Sequence, residues 1–430
     1  MCRLLWSFVR CLRRQPLIGK VLEMGNLWQD LNFERTVQNT VRDFEFTKRA
    51  YKDFYHVVNL DEFEDQDAQV IFQYLYKKMG MVSFGDYLKR YLYERSMLAQ
   101  PFSLVPLEDY KNIIIQSFER TGTPKSMKPT STKLRTLATN WLTQASVKRE
   151  TIFLLGFGLD MEVSEVKEFL LKAQRERDFD FTDPCEVIYW YCYQNHHGYE
   201  VAQRMRQRYE ELPVAGQKRD LKDCLDMLKS GQIRLNTHEG VWKYLSLLRE
   251  GSLKSDQEAY RWFVRLMEHS RRIIARMYQK DVEEVRGSKR WKAQDISPGD
   301  VEKVIFNGVP VDNMGNLKKM SASILSKHFA QKRLSRQRIN QILNRKQQVE
   351  RFDLITLEFF IISQEMEDAD AKERYRFFRR EIQQILKECS MGELYIVNPY
   401  ECFILMCLLT DCPLAVFSEI WEMSYEAEEL

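Results

Sequence analysis

The chain repeats part of itself, and this duplication constrains its fold more than any other feature of the sequence. The segment "VKRETIFLLGFGL" from Val147 aligns with "VERFDLITLEFFI" from Val349, and "DPCEVIYWYC" from Asp183 aligns with "NPYECFILMC" from Asn398. Apolar residues recur in these segments at the spacing of helices. Because a duplicated segment folds as one structural unit used twice, we expect two copies of a single helical module.

The second aligned segment carries the residue types of a helix start in both copies. Asp183 and Asn398 are suited to accept a bond from a free backbone N–H, and the proline that follows each of them takes a position where no donor is missed. Glu186 and Glu401 stand at the third helical position, which predicts a capping-box-like closure. The two matches are offset by 202 and 215 residues, so copy two holds 13 extra residues. We assign them to the acidic stretch 363–376.

Composition agrees with a packed, helix-rich protein. Hydrophobic residues make up 44% of the 430 residues and charged residues 30%, and glycine and proline are few, which disfavours a disordered or fibrous chain. No alternating apolar and polar run competes with the helical periodicity. The longest apolar run near the end, Cys402 to Leu409, has eight residues, whereas a bilayer span needs about 20. We therefore expect no membrane span.

The cysteines indicate reduced, buried thiols in a cytoplasmic protein. The nine cysteines include no Cys-x-x-Cys pair, and most lie in apolar helical runs. Cys185, Cys192 and His196 fall on one helical face, but structural zinc sites normally draw close ligand pairs from loops. Core packing therefore explains these three residues better than a metal site, and we expect no metal.

Enzymatic and cofactor-binding motifs are weak. Gly156-Phe157-Gly158 is followed by Met161, where a dinucleotide fingerprint needs a third glycine, so we predict a helix end with close packing. Arg49 and His56 have a spacing found in some helical ribonucleases, but Arg is common enough here for such a pair to arise by chance. The acidic run Asp61–Asp67 is typical of a helix start. We expect a protein without a cofactor that is not an enzyme.

Positive charge is concentrated in the two modules. The chain carries a net charge of only +3, yet Asn313–Val349 holds nine basic residues and no acid, and Arg120–Arg149 holds seven and no acid. In the first of these stretches, Ser335 is a good N-cap and an inward stripe of Ile339, Ile342 and Leu343 follows. The opposite helical face then presents Gln337, Asn340, Gln341 and Asn344.

This face has the side chains that read nucleic acid. Gln and Asn bond bidentately to adenine in the major groove, and flanking Arg and Lys neutralise phosphates or contact guanine. A solvated basic face with no partner, or an acidic protein surface as the partner, remains an alternative. The candidate nucleic-acid-binding residues are Lys332, Arg333, Arg336, Gln337, Arg338, Asn340, Gln341, Asn344, Arg345 and Lys346.

The segment "LSRQRINQILNRKQQVERFDLITLEFF" resembles the recognition helix and following helix of lambda-repressor-like helix-turn-helix regulators. In copy one, "VKRETIFLLGFGLDMEVSEVKEFLLKA" and "FDFTDPCEVIYWYC" are similar to the helices that come later in such proteins. The resemblance covers about a third of the chain. It implies a five-helix regulator fold and DNA recognition by Ser335 to Asn344. The Gln-led second helix of the family is not evident in either copy, and copy one has the loop "TGTPKSMKPTST" in its place.

We therefore predict an all-α, multi-helical protein with two degenerate helix-turn-helix-like modules joined by helical regions. The predicted regions are an N-terminal helical region 1–107, a first degenerate module 120–198, a helical connector 199–312, a second module 313–410 and a C-terminal tail 411–430. The predicted function is non-enzymatic regulation through nucleic acid, in the first instance DNA. The alternatives are an interaction or scaffold protein without a nucleic-acid role, and an effector or nuclease with an unrecognised site.

Overall fold

A computed structural model describes residues 68–73, 75, 83–96, 98, 100–122, 131–213, 221–282, 290–320, 323, 325, 329, 333–396 and 398–426. The predictions for Arg49, His56, Asp61–Asp67 and Lys332 lie outside these residues. The described chain is helical, with a single isolated bridge between Val311 and Leu317, and the all-α prediction is confirmed. Within the described ranges, no helix combines the length and the apolar character needed to cross a bilayer.

Sixteen α-helices account for most of the described residues. In chain order they are α1 Ala68–Gln73, α2 Phe84–Ser96, α3 Leu107–Thr121, α4 Ser131–Thr143, α5 Arg149–Gly158, α6 Val163–Glu168 continued by a π-helix Phe169–Ala173, α7 Pro184–Gln194, α8 Tyr199–Glu210, α9 Leu221–Lys229, α10 His238–Val282, α11 Pro298–Ile305, α12 Arg336–Leu343, α13 Arg351–Glu365, α14 Ala371–Glu388, α15 Pro399–Leu408 and α16 Pro413–Glu426. Short 3₁₀ turns occur at Phe102–Leu104 and Ala293–Asp295.

The chain divides into two compact units, and each unit contains one copy of the repeat. The first unit is Met81–Gln257, and the second joins Glu258–Leu430 to α1. This grouping differs from the predicted regions. The predicted connector 199–312 is shared between the units, because α8 and α9 bury side chains in the first core and α11 buries side chains in the second. The helix α10, 45 residues long, includes residues of both units.

Helix α2 belongs to the core of the first unit instead of to a separate N-terminal region. Its Phe84 is fully buried, and the backbone N–H groups of Phe84 and Gly85 donate to the carbonyls of Ala145 and Gln144 at 2.9 Å each. A Cβ at Gly85 would lie 2.4 Å from the carbonyl oxygen of Leu142. The start of α2 therefore packs directly on the backbone that follows α4.

A buried ion pair ties the parts of copy one together. Arg149, the first residue of α5, meets the carboxylate of Glu186 on α7 through two bonds, Nε–Oε1 at 2.6 Å and Nη2–Oε2 at 2.8 Å. Its guanidinium also donates to the carbonyls of Arg177 and Asp178, at 2.8 Å each. The same carboxylate accepts the backbone N–H of Asp180 at 2.7 Å. One Arg–Glu pair thus joins α5, α7 and the loop that precedes α7.

Copy two contains the same arrangement at the equivalent positions. Arg351 meets Glu401 with Nε–Oε1 at 2.8 Å and Nη2–Oε2 at 2.9 Å, and it donates to the carbonyls of Met391 and Glu393. Glu401 accepts the backbone N–H of Tyr395 at 2.7 Å. Glu393 and Tyr395 stand 215 residues after their counterparts in copy one. We call this arrangement the Arg–Glu staple, and its recurrence shows that the sequence repeat is also a structural repeat.

The predicted N-caps form, but the predicted capping-box closure by the third-position glutamates does not. The N-cap prediction is confirmed, because Asp183 accepts the N–H of Cys185 at 2.7 Å and Asn398 accepts that of Tyr400 at 3.0 Å. The third-position carboxylates of Glu186 and Glu401 bond to the staple arginines instead of to their own helix start. Two charge-assisted bonds to a buried guanidinium outweigh one bond to a neutral N–H.

The glycine pair ends α5 by close packing, as predicted. The helix ends at Gly158, where a Cβ would lie 2.0 Å from Cζ of Phe118, and a Cβ at Gly156 would lie 2.7 Å from the hydroxyl oxygen of Tyr193. In copy two the equivalent residues are Glu358 and Phe360, within a longer helix. Relative to their counterparts, α13 gains residues 361–365 and α14 gains residues 371–377. The extra residues therefore overlap the predicted stretch 363–376.

Most described cysteines are reduced, as predicted. Six of them form no disulfide: Cys185, Cys192, Cys224, Cys389, Cys402 and Cys407. Burial raises the pKa of the Cys192 thiol to about 12, which keeps it protonated. Cys412 is in a disulfide, which the prediction of reduced thiols did not anticipate. No group of His, Cys, Asp or Glu side chains in the described part of the chain could hold a metal ion.

Candidate nucleic-acid interface

Helix α12 has the amphipathic form that its sequence predicts. The hydroxyl of Ser335 accepts the N–H of Arg338 at 3.2 Å and caps the helix start. Ile339 and Ile342 are fully buried in the core of the second unit. The helix ends where Arg345 takes a left-handed conformation with φ of 57°. These interactions fix the outward direction of the polar face.

The outward residues of α12 line one shallow, largely open surface. Four of them are predicted amide readers and two are cations, and none is acidic. Among the amides, Nδ2 of Asn344 donates to the carbonyl of Asn340 at 2.8 Å, within its own helix. Gln341 is half-buried, and the other five are exposed. We call this the α12 surface, and it is lined by Arg336, Gln337, Asn340, Gln341, Asn344 and Lys346.

Arg338 does not belong to this surface, although the sequence placed it at the flank of the reading face. Its Nε and Nη2 bond to the carboxylate of Asp353 at 2.6 Å each, Nη2 lies 3.1 Å from Glu350, and the guanidinium carbon lies 4.6 Å from the centre of the Phe352 ring. The side chain of Arg338 is 11% exposed and that of Asp353 is fully buried. Burial raises the pKa of Asp353 to about 6, and the guanidinium opposes this rise. Arg338 therefore holds α12 to α13.

Arg333, like Arg338, is engaged in contacts within the protein. Its Nη1 donates to the carbonyl of Lys318 at 2.8 Å, and its Nε lies 3.2 Å from the Glu302 carboxylate on α11. The other oxygen of Glu302 accepts the backbone N–H of Arg336 at 2.9 Å. Sequence reasoning missed Glu302, since it lies 34 residues before Arg336. Arg333 and Glu302 position the start of α12.

Arg345 lies at the other end of the α12 surface. It is exposed, and its guanidinium covers the ring of Tyr260 on α10, with 3.1 Å between its carbon and the ring centre. The hydroxyl of Tyr260 donates to the carbonyl of Leu343 at 3.2 Å. Tyr260 was not among the predicted site residues, because nothing in its local sequence indicates contact with a helix some 80 residues later. It holds the end of α12 and leaves Arg345 facing solvent.

The corresponding helix of copy one, α4, presents a different surface. Its Arg135 is paired with Glu108 at 3.0 Å. The hydroxyls of Thr139 and Thr143 donate to carbonyls of their own helix, at 3.0 and 2.9 Å. Two of its outward positions thus carry short side chains that bond to the helix itself. The Arg–Glu staple is duplicated, whereas the amide-rich surface belongs to copy two.

Comparison of the chain with protein-family models, with curated proteins and with solved structures finds no match.

Proposed function

We propose that this protein is a non-enzymatic regulator that binds duplex DNA through the α12 surface. The observation that carries the proposal is the geometry of this surface. Its amides and cations share one open helical face without an acid, while Ile339 and Ile342 anchor the helix from behind. Side chains that are held rigidly on a helix and exposed to solvent are suited to bond with base edges.

The dimensions of α12 suit the major groove of B-DNA. An α-helix with its side chains is about 10–12 Å in diameter, close to the width of that groove, and the eight residues of α12 provide about two turns to lie in it. Asn340 lies near the middle of the helix, where an amide reaches the floor of the groove. The deep, narrow major groove of A-form RNA would not admit it. Duplex DNA is therefore favoured over duplex RNA as the partner.

The first test is binding of the full chain to fluorescently labelled mixed-sequence duplexes, followed by anisotropy as salt increases. Arg336, Arg345 and Lys346, together with Lys303 of α11, which lines a concavity next to Arg336, can neutralise about four phosphates. This predicts a log–log salt slope near −3.6 and a loss of affinity on the order of a hundredfold between about 50 and 200 mM salt. An affinity that does not change with salt would refute phosphate contact.

A charge-reversal variant locates the binding surface. Arg336→Glu combined with Lys346→Glu should abolish binding. Helical content should be preserved, because both side chains are exposed and because the acid at position 336 lies in the first turn of α12, where it is favourable. Arg338 is unsuitable for this test, since its removal would leave Asp353 buried without its partner. The matched control is Arg376→Glu combined with Arg380→Glu, two exposed reversals on α14, which should bind as the wild type does.

The outcomes distinguish the proposed function from its alternative. Equal binding by the double variant and the control would place the DNA contact elsewhere. No binding by the wild-type chain to any duplex would favour the interaction or scaffold protein, with an acidic protein surface as the partner of the basic residues. Asn340→Ala should relax base discrimination by about 1–3 kcal/mol and leave non-specific affinity unchanged.

A further inference from the structure

A short hairpin beside the start of α12 presents apolar side chains to solvent. Val311 and Leu317 form an antiparallel bridge, and the N–H of Lys318 donates to the carbonyl of Pro310 at 2.7 Å. Val311 is 56% exposed and Met314, near the tip, is 84% exposed, the highest exposure among the large apolar residues of the described chain. We call the segment 310–318 the hairpin.

The tip of the hairpin is held in one shape by its own backbone. One carboxylate oxygen of Asp312 accepts the N–H groups of both Met314 and Asn316, at 2.9 Å each. Gly315 takes a φ of 74°, which a glycine adopts without a steric cost. Because the backbone is fixed, the exposure of Met314 is set by the fold and does not depend on the rotation of a loose loop.

The hairpin is also fixed relative to α12. Arg333 donates to the carbonyl of Lys318 at the hairpin base and pairs with Glu302, which in turn accepts the N–H of Arg336. A concavity of about 310 Å³ joins Asn316 and Leu317 of the hairpin to residues at the start of α12. The hairpin and the α12 surface therefore form one continuous face.

From this continuity we propose that the hairpin inserts Met314 into the minor groove next to the major groove that α12 occupies. The inference rests on the proposed function. The exposed side chain of Met314 forms no favourable interaction with water or with phosphates. Inserted as a wedge between two base pairs, the same side chain would be buried on both of its sides, which is favourable.

The acids of this region are engaged within the protein, Asp312 by hairpin N–H groups and Glu302 by Arg333 and the N–H of Arg336. Lys319 is exposed beside the base of the hairpin and Lys303 lines the concavity, so these two cations are placed to meet the phosphates that border the groove.

The test measures unstacking of bases. The full-length chain is titrated against a tiled set of short duplexes, each with a single 2-aminopurine, whose fluorescence rises when its neighbours unstack. We expect a rise at one or two adjacent positions with the wild type. Met314→Ala should lose this rise and bind roughly tenfold more weakly or worse, because it forfeits the burial of most of one apolar side chain. Its salt slope should not change, since no charge is removed.

Val264→Ala is the matched control, because it also truncates an exposed apolar side chain of the second unit, on α10. It should retain both the affinity and the fluorescence rise. If Met314→Ala behaves as Val264→Ala does, while Arg336→Glu with Lys346→Glu abolishes binding, the wedge is overturned and the proposed function stands. This would also be the result if Met314 served a protein partner. Absence of any binding by the wild type overturns both.

Discussion

Glu358 provides the sharpest test of the energetics of the second unit. It lies on α13 where copy one has Gly156, and its side chain is buried at 5% exposure. Burial, with the carboxylates of Glu381 and Glu365 nearby, raises the pKa of Glu358 to about 7 from an ordinary value of 4.5. The fold therefore favours the neutral acid, and ionisation of Glu358 destabilises it.

The size and sign of the effect follow from linkage. A rise of about 2.5 pKa units corresponds to about 3 kcal/mol, at about 1.4 kcal/mol for each unit. Because the folded-state pKa is raised, the stability contributed by neutral Glu358 is complete below about pH 4.5 and is lost as the pH rises through about 7. Glu358→Gln cannot ionise. We expect it to be more stable than the wild type by about 3 kcal/mol near pH 8.5 and close to it near pH 4.5.

Hydrogen exchange of α13 amides, with urea unfolding alongside, measures this difference without assuming that the two units unfold together. Glu393→Gln makes the same chemical change at an exposed position of the second unit and should leave the pH dependence unaltered. The reasoning is refuted if wild type and Glu358→Gln show the same pH dependence. It is also refuted if the wild type gains stability relative to the variant as the pH rises.

Three further changes test packing and pairing, each measured by denaturant unfolding. Arg338→Ala should destabilise the second unit by about 3–5 kcal/mol, because it leaves Asp353 buried without its guanidinium. Gly158→Ala should destabilise the first unit by about 1–3 kcal/mol, because its Cβ would overlap the ring of buried Phe118. Arg351→Lys should cost about 1–3 kcal/mol despite keeping the charge, since an ammonium cannot reproduce the forked bonds of the staple.

Each of these changes has a control of the same chemical kind. Arg376→Ala removes an exposed arginine from α14, and Gly198→Ala adds a methyl group where no heavy atom lies within 4 Å. Arg380→Lys replaces an arginine whose side chain is 68% exposed. All three should change stability by less than about 0.5 kcal/mol. If a variant and its control change the free energy of unfolding equally, the contact proposed for that site does not explain the loss of stability.

The features that depended on local pattern could be predicted from the sequence. The Ser335 cap, the buried stripe at Ile339 and Ile342, and the end of α5 at Gly158 all follow from helix periodicity and from the conformational preferences of single residues. The duplication added information, because residues retained in both copies had to share a structural task. Arg149 and Glu186 were both marked by the repeat in this way.

The remaining features depend on contacts between residues far apart in the chain. A helical wheel puts Arg338 at the edge of the polar face, and only the position of α13 shows that Asp353 is its partner. Likewise, no local signal connects Tyr260 to Arg345, or Glu302 to the start of α12. Unit boundaries depend on the same long-range packing, which explains why α10 continues through a region that had been assigned to one connector.

Because α13 is longer than its counterpart α5, copy two makes a contact with α10 that has no equivalent in copy one. Glu365, the last residue of α13, has no counterpart in copy one and lies 2.7 Å from a ring nitrogen of His269 and 3.4 Å from Arg276, both on α10. Exchanging the modules would therefore deprive α10 of this carboxylate contact. The extra residues give copy two an anchor for a helix outside the repeat, so the two modules are not interchangeable in this fold.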